Sequence, residues 1–193
     1  DIADFVKNRD LFLKIIISSI PVMIIGFFLV QSNLIEQLRN IKLIGWTTLI
    51  FGALLYISDK CKLERNINTN LNYKSAIYIG LFQVLSLMPG VSRSGISITA
   101  ARFLKFKRFD AAKISFLLSI PTLGAVSMFG LKNVIFSQEV SISILNLISI
   151  LLSFIFSFVT IKYFLKYIKN FNLNIFVYYR ITLGVILLSI AYL

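Results

Sequence analysis

Residues 75–101 read SAIYIGLFQVLSLMPGVSRSGISITAA, and the length of this stretch decides the fold. From Ser75 to Ser92 it carries no charge, and Arg93 ends the run. Basic segments flank it. Residues 59–74 hold four basic residues and two acids, and 102–113 hold Arg102, Lys105, Lys107, Arg108 and Lys113 against one acid. Such excesses mark cytoplasmic connections between membrane spans. If residues 15–30 cross outward and 43–58 return, both flanks share one face. Two full crossings need about 40 residues, and only the 27 of 75–101 are available. The chain must enter and leave on one side. The stretch therefore reads as a re-entrant helical hairpin over 75–104: a half-span from Ser75 to Met88, a turn at Pro89 to Gly95, and a second half-span from Ile96 to about Leu104.

Composition sets the solvent. Hydrophobic residues make up 58% of the chain and charged residues 15%, below the roughly 25% of soluble domains, and mean hydropathy is +0.85. Uncharged runs at 15–35, 43–58, 114–131 and 140–161, with a last segment at 171–193 interrupted by Arg180, are long enough to cross a bilayer. They lack the alternation of a lipid-facing barrel. The sequence predicts an all-α polytopic membrane protein with about five transmembrane helices and the re-entrant hairpin, forming one integral membrane domain over 1–193. The net charge of +12 sits between the spans and not along one polar face, which argues for topology and against nucleic acid. Cys61 has no disulfide partner, and the absence of histidine removes that residue as base, nucleophile or metal ligand.

Non-helical backbone at membrane depth is tolerated where it is buried in protein or lines a polar cavity. The turn is thus the candidate site. Gly90 and Gly95 permit tight backbone, the amides opening the second half-helix point at an occupant, and Ser92 and Ser94 add hydroxyls. Arg93 adds a planar fork suited to two oxygens of a phosphate or diphosphate. The competing reading is a solvated turn from which Arg93 snorkels to the interface. Gln83, Ser97 and Thr99 either face the same cavity or bond a neighbouring helix and their own backbone. Arg180, after Tyr178 and Tyr179, reads as an interfacial anchor or structural partner.

The run from Gln83 to Gly95, QVLSLMPGVSRSG, followed by ISFLLSIP at 114–121, closely resembles the second signature region of the undecaprenyl-diphosphate phosphatase family linked to bacitracin resistance. Residues 19–26 and 179–184 resemble that family's early and last helices, so the likeness covers essentially the whole chain. It implies a multi-pass hydrolase of the bacterial cytoplasmic (inner) membrane. Such an enzyme removes the terminal phosphate of undecaprenyl diphosphate, recycling the carrier of cell-wall synthesis, and has an inverted-repeat architecture with two re-entrant hairpins. Carried over by motif position, Arg93 would hold the diphosphate, Ser92 and Ser94 would support it, and Ser97 stands where the family often has threonine; with the reading of the turn itself, Gly90, Gly95, Ser97 and Gln83 make up the expected substrate-binding set. A lipid-carrier flippase or transporter is the alternative, and a homo-oligomer is left open.

The family's first signature, a pair of glutamates with a histidine, has no counterpart among the eight acids here, none of which lies inside an apolar run. The resemblance also implies a divalent cation, Mg²⁺ or Ca²⁺, whose ligands are not in this chain. The chain, which opens with Asp1, thus reads as the C-terminal two-thirds or so of such an enzyme. It is expected to bind the lipid weakly and hydrolyse it negligibly on its own.

Overall fold

The computed structural model describes residues 8–32, 38–136 and 144–193, and the side chains of all of these but 132–136. Among the described residues the helices are α1 (Arg9–Gln31), α2 (Ile41–Asp59), the single turn α3 (Ile67–Asn70), α4 (Tyr73–Val84), α5 (Arg93–Phe103), α6 (Arg108–Phe136), α7 (Ile144–Asn170) and α8 (Asn174–Tyr192), with a 3₁₀ turn at Leu85–Leu87. Five of them, α1, α2, α6 through Leu131, α7 and α8, are long and apolar enough to cross a membrane. The chain is an all-α polytopic membrane protein, as its composition requires. The run expected at 140–161 begins in residues outside those described, and α6 extends to Phe136, past the end of the uncharged run at 114–131.

Backbone hydrogen bonds close the feet of the hairpin. The Glu64 and Arg65 amides both donate to the Lys105 carbonyl (3.1 and 3.0 Å), and the Lys107 amide donates to the Arg65 carbonyl (3.0 Å). The segments before and after the hairpin are thereby paired, so α4 and α5 start and finish at one end of the molecule. That end also holds the start of α1, where Tyr73 donates to Asp10 (3.1 Å). The second half-helix begins at Arg93, three residues earlier than expected, because Ser92 caps it: the Gly95 amide donates to Ser92 Oγ (3.3 Å). Asn72 caps α4 in the same way through the Ser75 amide (2.8 Å).

Small residues set the close approaches, as between membrane helices generally. A Cβ on Gly80 would lie 2.0 Å from the Ser18 carbonyl oxygen, which brings α4 hard against α1, and Ser18 Oγ completes the contact by donating to the Ala76 carbonyl (2.6 Å). On the other flank α2 and α8 run antiparallel, with Gly45 facing Leu188 and Gly184 facing Leu49. Hairpin α4–α5 sits among α1, α2 and α6. α7 is attached mainly near the basic end, where Phe164 meets Phe116 and Phe176 edge-on (5.4 and 5.1 Å). Its remaining length exposes side chains such as Phe154 and Phe158, the surface a lipid-embedded helix presents.

The basic end also contains a buried ion cluster that its charge count does not reveal. Asp59 and Arg102 are buried. Arg108 grips the Asp59 carboxylate with Nε and NH2 (2.7 and 3.1 Å), and the Leu173 amide donates to the same group (3.2 Å). Arg102 donates to the carbonyls of Phe106, Asp59 and Cys61 (2.6, 2.9 and 2.6 Å). Its Nε approaches Asp59 Oδ1 at 3.5 Å, an electrostatic contact without hydrogen-bond geometry. This cluster ties the foot of the hairpin to the end of α2 and the α7–α8 turn.

Candidate functional site

The break between α4 and α5 frees backbone carbonyls that no helix can satisfy, and in an apolar medium each unpaired one costs several kcal/mol. Side chains take three in succession. Thr47 Oγ1 donates to the Pro89 carbonyl (2.6 Å), Thr48 Oγ1 shares its hydrogen between the Ile44 carbonyl of its own helix (2.7 Å) and that of Gly90 (3.3 Å), and Arg180 NH2 donates to that of Val91 (2.8 Å). Thr47 lies twelve residues from the end of α2 at Asp59, which places the turn about 18 Å in from the basic end at 1.5 Å per residue, past the middle of a roughly 30 Å hydrocarbon core.

Backbone conformation follows from this close seating. Gly90 has φ +89°, and a Cβ there would come within 2.2 Å of Thr47 Oγ1 and 2.7 Å of the Ile44 carbonyl oxygen. Only glycine fits. Ser92 adopts φ 61° without being glycine, a conformation costing on the order of 1–3 kcal/mol that the cap bond to Gly95 helps to hold. Gly95 lets Arg180 in: its Cβ would stand 3.3 Å from the guanidinium carbon.

The hydroxyls of Ser92 and Ser94 lie 3.4 Å apart on exposed residues, free to donate outward. Arg93 is half-buried, and its NH1 donates to Thr122 Oγ1 on α6 (2.6 Å). Thr122 is itself anchored on the carbonyls of Leu118 and Ser119 (2.9 and 3.2 Å). Arg93 is also the first residue of α5. A cation at the positive end of a helix dipole is unfavourable by itself, and an anion there relieves both.

The remaining expected residues divide by burial. Ser97 is buried and donates to the Arg93 carbonyl (3.0 Å), and Thr99 does the same to Gly95 (2.8 Å). Their hydroxyls brace the first turn of α5. Gln83 is fully buried, and among the described residues neither end of its amide has a hydrogen-bond partner. Arg180 is buried, not an interfacial anchor, and belongs to the turn. Thr47, Thr48 and Thr122 were absent from the sequence-derived site. The visible signals were a threonine pair inside an apolar span and an arginine interrupting the last one.

The divalent cation implied by the resemblance does not fit these residues. Among the described residues no group of three or more His, Cys, Asp or Glu side chains comes together. The turn offers hydroxyls, amides and two guanidiniums, a donor set that repels cations.

Known proteins resemble this chain over most of its length. The family model described as bacitracin resistance protein BacA matches residues 3–186. A protein named undecaprenyl-diphosphatase from Pelagibacter ubique (strain HTCC1062) is 51% identical over 193 residues, 100% of this chain and 75% of that protein. Proteins of the same name from Jannaschia sp. (strain CCS1) and Ruegeria sp. (strain TM1040) are 40% and 37% identical, over 92% and 96% of this chain and 67% and 70% of theirs. The chain belongs to the bacitracin resistance protein BacA family.

Proposed function

We propose that this chain acts on undecaprenyl diphosphate, binding the diphosphate at the mid-membrane turn so that its terminal phosphate can be released as inorganic phosphate. The observation that carries the reading is the placement of Arg93: a guanidinium at the opening of α5, pinned at one nitrogen by Thr122 and flanked by two exposed hydroxyls. The relatives' shared name supplies the substrate, and the turn supplies chemistry that suits it.

The roles follow from the geometry. Arg93 spans two phosphoryl oxygens with the nitrogens that Thr122 leaves open, while Ser92, Ser94 and the first amides of α5 donate to others. Water attacks the terminal phosphorus, the bridging P–O bond breaks, and the lipid leaves as its monophosphate. Charge on the transferred group and the leaving oxygens is spread over donors already in position. Arg180 acts one step back, holding the Val91 carbonyl and with it the turn. The lipid tail runs along the apolar helices. The basic end faces the cytoplasm of a bacterial inner membrane, following the excess of lysine and arginine there.

The test pairs two measurements on the purified chain: phosphate release from undecaprenyl diphosphate in detergent, and movement of lipid phosphate across sealed vesicles. Diphosphate binding that Arg93→Ala abolishes, with any phosphate release lost alongside it, is expected. Transport without diphosphate binding or phosphate release overturns the reading in favour of a carrier flippase.

A further inference from the structure

Two adjoining cavities open at the basic end, away from the turn. One has a volume of ≈ 470 Å³ and includes Leu63, Asn66, Lys107, Asp110, Lys169 and Phe171 in its walls. The other, ≈ 370 Å³, includes Tyr56, Lys60, Lys62 and Asn172, and the two share Leu63 and Arg108. Three segments far apart in sequence converge on the larger one: the stretch before α3, the start of α6 and the end of α7. Its charge is unbalanced. Arg108 is committed to Asp59. Asp110 is 9% exposed and accepts the backbone N–H of Ile67. Lys107 and Lys169 are exposed, and among the described residues neither has a carboxylate within ion-pair distance, although Asp110 feels the charge of Lys107 from beyond that distance.

The surroundings decide what such a cavity holds. Its rim carries the exposed apolar side chains of Leu63, Phe109 and Phe171, and the end of α7, a helix whose exposed side chains are apolar over most of its length, forms part of its wall. A ligand with a phosphate for the lysines and acyl chains for that apolar surface fits both parts. A zwitterionic headgroup fits less well, because its cation would meet no free acid: Asp59 and Asp110 are engaged, and the Tyr56 ring is covered by Lys60 Nζ at 4.4 Å from its centre. We propose that this cavity binds the phosphate of an anionic glycerophospholipid from the surrounding leaflet, at a site separate from the diphosphate turn.

Native mass spectrometry of the purified chain in detergent, titrated with phosphatidylglycerol or phosphatidylcholine, tests this. The variants are the double substitution Lys107→Ala with Lys169→Ala and, as a control for general positive charge, Lys162→Ala with Lys166→Ala on the same helix. Phosphatidylglycerol should be retained in preference to phosphatidylcholine, and the cavity variant should hold it roughly thirtyfold more weakly, from about 1 kcal/mol per basic residue. The control should match the unaltered protein. All these lysines are exposed, and equal thermal midpoints verify that folding is untouched. Equal retention of the two lipids, an equal loss in the control pair, or full retention by the cavity variant overturns the proposal. So does displacement of the lipid by millimolar inorganic phosphate, which would make the ligand a free anion.

Discussion

Replacing Arg93 by lysine separates charge from geometry at the turn. The guanidinium spends NH1 on Thr122 (2.6 Å) and keeps Nε and NH2 for a ligand. An ammonium on a flexible stem offers its donors from one point. It cannot hold Thr122 and two phosphate oxygens together. The loss is one charge-assisted hydrogen bond, about 1.5–3 kcal/mol, which converts to roughly 10- to 150-fold in affinity. Arg93→Ala removes the charge as well and should abolish measurable binding. Thr122→Val leaves the fork intact but unpinned, at a cost of about 1 kcal/mol, or roughly fivefold. Isothermal titration of a short-chain polyprenyl diphosphate into the purified chain, with the monophosphate as comparator, reads all three. The lysine variant should also lose its preference for diphosphate, since that preference needs two oxygens gripped at once. If Arg93→Lys binds within about twofold of the unaltered chain, Arg93 serves as a point charge and the fork argument fails.

Gly90→Ala puts a Cβ 2.2 Å from Thr47 Oγ1 at φ +89°. The left-handed conformation costs about 1–2 kcal/mol and two threonine hydrogen bonds about 1 kcal/mol each, so the thermal midpoint in detergent should fall clearly. An unchanged midpoint would mean that α2 does not pin the turn. Asp59→Asn leaves Arg102 and Arg108 without their counter-charge and should destabilise by about 3–5 kcal/mol, the range for breaking a buried pair; a cost under about 1 kcal/mol would show the cluster to be solvated. In a Cys61→Ser background, Asn72→Cys and Lys107→Cys should react alike with an impermeant thiol reagent added to one side of sealed vesicles. Opposite labelling would rule out the re-entrant hairpin.

The hairpin was legible because it follows from counting: 27 residues between two basic flanks cannot cross twice. Its turn was legible because proline and glycine break a helix inside an apolar run and a lone arginine marks the break. The supports were not. Thr47 and Thr48 lie within a span whose composition is otherwise unremarked, and nothing local says that their hydroxyls, which also reach carbonyls of their own helix, come within hydrogen-bond distance of carbonyls 42 residues away. Arg180 read as an interfacial anchor or a structural partner, and the structure makes it the second; the local sequence could not choose, because which face of α8 the side chain occupies is set by packing. The buried Asp59 cluster was hidden for the same reason. Charge in a polar-looking loop reads as solvated until tertiary packing closes over it.

The supports also explain how the turn can keep an arginine where the helix dipole opposes it. Three consecutive carbonyls are held by Thr47, Thr48 and Arg180, the first turn of α5 is braced by Ser97 and Thr99, and Arg93 is fixed at one nitrogen by Thr122. The relaxation by which Arg93 would escape, unwinding α5 or swinging to the interface, requires giving up several of these bonds, most of them made by buried side chains. The unfavourable pairing of cation and helix start therefore persists, and it is discharged when an anion arrives. Fixed donors aimed at a place where negative charge will reside, maintained against their own repulsion by a rigid frame, are the form that electrostatic preorganisation takes. On this argument the threonines matter to binding through the arginine they constrain, so Thr47→Val should weaken diphosphate binding far less in an Arg93→Ala background than in the unaltered chain. Additive effects in that double-mutant cycle would mean that frame and arginine act independently.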